Sequence, residues 1–169
     1  VDLSESTLAE FCTLIGYCHD FGKATSFFQE YLFASEDTHA ALKGSPKTRH
    51  GLLSAVFTYH CIKLAMIGRT HGKIDDFLPF VGYAIVRRHH GDLNDFFLET
   101  KDLGETATKE VLTQQLNVIR KETVSEIYRG KIPENSIETF FSEFESILEA
   151  IKKEGSLFKI RKTIISFSP

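Results

Sequence analysis

The chain has 169 residues, 42% of them hydrophobic and 25% charged, with a formal net charge of −3. That size and balance fit one domain able to bury its own core, and they exclude wholesale disorder. The longest uncharged apolar stretch, 77–86, is too short to cross a bilayer, and Val1-Asp2-Leu3-Ser4-Glu5 has no secretory-signal pattern.

In chain order, Leu3 to Cys18 reads as a helix, with Leu8, Phe11, Cys12, Ile15 and Cys18 at three- and four-residue spacing and Gly22 past its end. Thr25 to Phe33 reads as a second, short helix, and the polar stretch Ala34 to Arg49 as a loop. Gly51 to Ile67 is a strong helical pattern, and Gly68 to Lys73 a connection. Asp75 or Asp76 is the expected cap of the next helix, which tolerates Pro79 in its first turn and runs to about Arg88. His89-His90-Gly91 ends it, and Gly91 to Gly104 reads as irregular. Glu105 to Tyr128 is expected as one long amphipathic helix, broken by Gly130 to Pro133. Ser136 opens another, striped by Phe140, Phe141, Phe144, Ile147, Leu148 and Ile151, and Leu157 to Phe167 is a final helix or a frayed end. No hairpin, repeat or glycine-rich phosphate loop is present, so the expected class is all-α.

Charge and cysteines add two expectations. Residues 1–39 carry one Lys against seven acidic residues, 40–90 carry eight Lys and Arg against two, and 91–169 carry eleven against fourteen. The middle block is the only basic one and holds most of the histidines, which weakly favours a phosphate-facing surface there. Cys12, Cys18 and Cys61 form no CxxC pair. Without a secretory signal they read as reduced thiols of a cytoplasmic protein, with Cys12 and Cys18 as buried small hydrophobes.

The chemistry lies in where the histidines fall. His19-Asp20 follows the first helix, His50 precedes the third, and His89-His90 ends the fourth. Helix ends can converge on one point. Imidazole with carboxylate suits Mn, Ni, Co, Fe or Zn, with Mg also possible, and the two oxygens of Asp20 can bridge two metals about 3.5–4 Å apart. A His-Asp or His-His pair alone is common by chance; the ordered set is what singles these residues out.

That set carries a definite resemblance. Cys18-His19-Asp20-Phe21-Gly22-Lys23-Ala24 with Phe27-Phe28-Gln29, then Arg49-His50-Gly51-Leu52-Leu53-Ser54-Ala55, then His89-His90-Gly91-Asp92-Leu93 resemble the HD-type nuclease domain of the CRISPR-associated nuclease–helicase of type I interference systems, over roughly residues 10–95. The resemblance implies a helical bundle with a metal site at converging helix ends, and cleavage of single-stranded DNA. It implies that Asp20 bridges, that His50, His89 and His90 join Asp20 around one metal, and that His19 serves another. Lys23 matches the family lysine, contacting a phosphate or ordering the motif, unless it is simply a surface lysine. Ser54, one turn after His50, is expected to face the site. Lys43, Lys47, Arg49, Arg87 and Arg88 flank the motifs and are candidates to track the strand, with Phe96 and Phe97 offering stacking faces if they are not core residues. Implied partners are a helicase domain or subunit and an RNA-guided surveillance complex.

Two departures follow from the same comparison. No histidine precedes His19 and no Asp or His follows Asp102, so the family's upstream histidine and distal aspartate are missing. Either the chain is part of a longer protein or it binds one metal; Glu143 and Glu149 are the remaining carboxylates considered for the distal position. Two rival readings are an HD phosphohydrolase acting on nucleotides or cyclic nucleotides, and a catalytically idle HD docking module.

Overall fold

The computed structural model describes residues 4–68, 75–91 and 96–166, with side chains at 75, 96, 97 and 158–166 left aside. Among the described residues there are ten α-helices, short 3₁₀ turns and no strand, the all-α class expected from the sequence. None of these helices is long and apolar enough to cross a membrane. The helices are α1 (Glu5–Cys18), α2 (Ser26–Leu32), α3 (Glu36–Leu42), α4 (Gly51–Ala65), α5 (Leu78–Arg87), α6 (Phe96–Lys101), α7 (Thr106–Asn117), α8 (Lys121–Tyr128), α9 (Ser136–Ser142) and α10 (Phe144–Ser166).

The axis of the fold is α4, apolar all round, with every residue from Leu53 to Ile62 buried. Helix α5 lies along it. The approach is close because Gly82 has no side chain: a Cβ there would run into Ile62 and sit 3.5 Å from both Phe11 and Thr58 side chains. Helix α1 begins where the Ser4 hydroxyl accepts the Thr7 N–H at 3.1 Å, and it buries Phe11, Leu14 and Cys18. Cys12 points off that face and is exposed, which corrects the expectation that both Cys12 and Cys18 are buried.

An aromatic cluster fastens the turn after α1 to α4. Phe21 stacks on Phe57 with centroids 3.8 Å apart, and Phe140 and Tyr128 close around Phe57 at 5.0 and 5.5 Å. Toward the other end of α4, the Tyr59 hydroxyl donates to Glu154 Oε1 at 2.7 Å, and Lys63 bonds both. His60, also buried, places Nε2 2.8 Å from Thr139 Oγ1.

Elsewhere the fold departs from the sequence reading where tertiary packing decides. The stretch expected as a loop contains α3, preceded by Ser35, and a 3₁₀ turn at Pro46–Thr48. The stretch expected as irregular contains α6 and a 3₁₀ turn at Asp102–Gly104. The single helix expected over 105–128 is two, because the chain turns at Val118 to Arg120 and buries Ile119. No glycine or proline marks that turn; the β-branched pair Val118-Ile119 sits there instead. Helix α5 is entered through a 3₁₀ turn over Asp75–Phe77, and its cap position is Phe77 with no side-chain bond, so neither Asp75 nor Asp76 is the cap expected. The expected connection over 68–73 lies largely outside the described residues.

Two outcomes test this core. Phe57→Ala should cost about 3–5 kcal/mol of unfolding free energy in urea, because it empties the centre of the aromatic cluster. Burial holds the His60 imidazole below its usual value, against the Ser136 backbone and Glu143, which pull upward. The unfolded chain therefore takes up a proton that the folded chain refuses. Stability should be full above about pH 6.5 and fall as pH drops through that value, and His60→Gln should flatten the decline in urea midpoint.

Candidate metal centre

The His-Asp dyad hangs between two anchors. Cys18 and Phe21 are almost fully buried on either side of it, so His19 and Asp20 are presented at a fixed point on the surface. His19 caps α1, its backbone N–H bonding the Ile15 carbonyl at 3.0 Å. Its ring Nδ1 lies 2.7 Å from the Gly16 carbonyl. A carbonyl only accepts, so Nδ1 carries a proton and Nε2 turns toward Asp20, 3.3 Å from Oδ2.

The 3₁₀ turn Phe21–Ala24 then meets the start of α4. Gly22 is forced: a Cβ there would collide with the His50 carbonyl oxygen and sit 3.0 Å from its Cα and Cβ. The Gly22 N–H donates to Ser54 Oγ at 2.9 Å. Ser54 is fully buried, so it ties the turn to α4 rather than facing the ligands as expected. Thr25 donates to the Gly22 carbonyl at 3.0 Å and accepts the Phe28 N–H at 3.2 Å, and Gln29 Nε2 donates to the Lys23 carbonyl at 2.7 Å. The Gly-Lys-Ala-Thr and Phe-Gln pieces of the motif are thus the braces of one turn.

This contact delivers His50, whose Nε2 lies 3.5 Å from Asp20 Oδ1. His89 arrives from the end of α5 with Nε2 3.9 Å from the same oxygen, its Nδ1 donating to the Val86 carbonyl at 2.6 Å. His90 is exposed, its ring 3.8 Å from that of His89 and 5.4 Å from that of His50. Ligating atoms of His50, His89 and His90 all lie within 4.8 Å of one another. Phe28 places its ring edge-on to His50, with centroids 5.0 Å apart.

Asp20 Oδ1, His50 Nε2 and His89 Nε2 are all buried and have no hydrogen-bond partner. Each such orphan costs about 1–3 kcal/mol. Here they are lone-pair donors gathered around one point, which fits a divalent cation. The electrostatics agree. Burial, then the Lys23 charge, push the His50 imidazole down to about 4, so it is neutral at pH 7 and free to ligate. Burial pushes the Asp20 carboxyl up, but the Lys23 hydrogen bond and the neighbouring positive charges together outweigh it, leaving the group below its usual value and ionised.

The two oxygens of Asp20 differ. Oδ1 faces the imidazole cluster, whereas Oδ2 accepts from Lys23 Nζ at 2.9 Å. Lys23 is therefore neither a plain surface lysine nor placed at a distance: its ammonium neutralises the side of Asp20 nearer His19. Glu149 pairs with Lys109 at 2.6 Å and Lys152 at 3.3 Å, and Glu143 acts on His60, ten residues along α4 from His50. Neither carboxylate joins the cluster.

A cleft of about 470 Å³ opens from His50, His89 and His90 toward Tyr31, Gly44 and Arg49. The five flanking cations divide. Arg87 Nη2 meets Asp102 Oδ2 at 2.6 Å, and Arg88 Nε meets both oxygens of buried Glu99 at 2.8 Å. These pairs pin the end of α5, and so the His89-His90 turn, to the segment 99–102. Lys43, Lys47 and Arg49 are exposed. The Glu99 and Asp102 contributions were not anticipated and left no signal in the sequence; Gly22 and Ser54 both lie inside the motifs, but as braces of the turn rather than as residues facing the ligands. Asp92, Leu93 and the Phe96 and Phe97 side chains lie outside the described residues.

A family model described as "Cas3, HD domain" matches residues 1–150. No curated protein and no solved structure matches the chain.

Gly22→Ala should lower affinity for Mn²⁺ or Ni²⁺ by about tenfold or more in a calorimetric titration, since the added methyl pushes His50 off Asp20. It should also cost about 1–3 kcal/mol of stability. Unchanged metal affinity would show that the close approach does not set the ligand geometry.

Proposed function

The chain belongs to the family of Cas3 HD domains, CRISPR-associated metal-dependent nucleases, and from that premise we propose that it hydrolyses phosphodiester bonds of single-stranded DNA during interference. The observation that carries the reading is the convergence of three orphaned buried atoms, Asp20 Oδ1, His50 Nε2 and His89 Nε2, beside His90. These four residues would hold a divalent metal. When bound, it supplies a water acidic enough to give hydroxide near neutral pH and a positive charge facing the phosphate.

The chain's own groups do the rest. The Gly16 and Val86 carbonyls accept from Nδ1 of His19 and His89, which orients both rings with Nε2 toward Asp20, the nitrogen each would offer to a metal. Neutral imidazoles leave the loaded centre positive, which favours an anionic substrate. Lys23 holds Asp20 Oδ2 and keeps a cation beside the place where the phosphate arrives. His19 is the ligand available to a second metal, which would have to share Oδ2 with Lys23 or displace it. A flexible single strand bends into a recessed centre more readily than a stiff duplex. The helicase and the RNA-guided complex implied by the resemblance are the partners that would expose such a strand.

Circular single-stranded DNA with Mn²⁺ or Ni²⁺ tests this, run beside a panel of nucleotides and a chelator control. Linearised circles are expected, because only internal cleavage opens a circle. Asp20→Ala should lose retained metal and cleavage together. His89→Ala should weaken metal retention by about tenfold or more. Hydrolysis confined to nucleotides, or undiminished cleavage by Asp20→Ala, would overturn the reading.

A further inference from the structure

Among the described residues that line the cleft, the unpaired positive charge lies on the Arg49 side. Arg87 and Arg88, on the α5 side, are charge-paired with Asp102 and Glu99. On the other side, Arg49 lines the cleft with an exposed side chain, its Nη2 reaching the Gly44 carbonyl at a long 3.4 Å. Lys47 stands nearby over the Phe27 ring, 5.2 Å from its centroid. A phosphate entering here would meet a guanidinium with donors to spare.

An aromatic pair is assembled on the same side. Tyr31 of α2 stacks on His39 of α3 with centroids 4.2 Å apart and planes 26° from parallel. Tyr31 also lines the cleft that holds His50, His89 and His90. A ring already held against its neighbour has lost most of its rotamer freedom, so stacking a further ring near it costs little ordering. Every nucleobase has a face suited to such a surface, whatever the sequence.

We propose, on the reading that a single strand is the substrate, that Tyr31 backed by His39 is a nucleobase-stacking platform and that Arg49 holds the backbone phosphate beside it. The strand then leaves the metal centre across the α2–α3 hairpin, not across α5 and α6. Ring and guanidinium have separable roles: the first reads bases, the second reads charge.

Binding to the metal-free full chain tests this without cleavage. Fluorescence anisotropy compares a thymidine oligonucleotide with an abasic deoxyribose-phosphate strand of equal length and charge. The wild-type chain should bind the thymidine strand about fivefold or more tightly than the abasic one. Tyr31→Leu should erase that difference by weakening the thymidine strand alone, and Tyr31→Phe should keep it. Arg49→Gln should weaken both strands alike and lower the slope of log affinity against log salt by about one. The proposal is overturned if the wild-type chain binds both strands equally, if the difference survives Tyr31→Leu, or if that variant weakens both strands alike, since the ring would then only join α2 to α3. Base-dependent binding through Tyr31 without cleavage by the metal-loaded chain would sink the nuclease reading and leave the platform standing; cleavage with Tyr31-independent binding would do the reverse.

Discussion

The turn that carries Asp20 must lie directly against the first residues of α4, with no side chain between them. Phe21 drives the approach by stacking on Phe57, and Gly22 permits it. Ser54 makes it tolerable by accepting the backbone N–H that the approach buries. From this contact the rest follows. His50 reaches Asp20 because the turn sits on its backbone, and α5, laid along α4 through Gly82, brings His89 to the same oxygen. The apolar core and the polar centre are therefore one construction: the residue beside Asp20 on the inside of the turn is part of the aromatic cluster around Phe57.

That construction works against stability at its outer edge. Three buried lone pairs without partners are a liability in a folded chain. The fold compensates around the rim rather than at the point of convergence. Backbone carbonyls take the outer ring protons of His19 and His89, and two arginine–carboxylate pairs clamp the turn that holds His89 and His90. Among the described residues, three of the five orphaned buried atoms stand where a cation belongs; the other two, Arg87 Nε and Asp102 Oδ1, belong to one of the clamping pairs.

How much of this the sequence disclosed depended on whether the signal was local. The five ligand candidates were legible because each sits at a helix end marked by its own neighbours: Gly22 after His19-Asp20, the apolar run after His50, Gly91 after His89-His90. The central helix was legible from its length and apolarity. What stayed hidden was set by partners far along the chain. Arg87 and Arg88 read as free cations because Asp102 and Glu99 lie in a stretch without apolar periodicity. The bend between α7 and α8 has no glycine or proline to announce it and exists because Ile119 is buried. Helix α3 has no buried residue and so no stripe to find. Cys12 falls beside an apolar face without belonging to it.

One consequence of the depressed His50 imidazole concerns how filling the centre relates to its surroundings. A ligand histidine with an ordinary affinity for protons must shed one to accept a metal near neutrality, so occupancy follows the acidity of the medium. His50 is already bare at pH 7, kept so by burial and by the Lys23 ammonium. On that residue's account, loading is exchanged against desolvation rather than against hydrogen ions. Modest drifts in acidity around neutrality then leave its share of the cation's grip untouched.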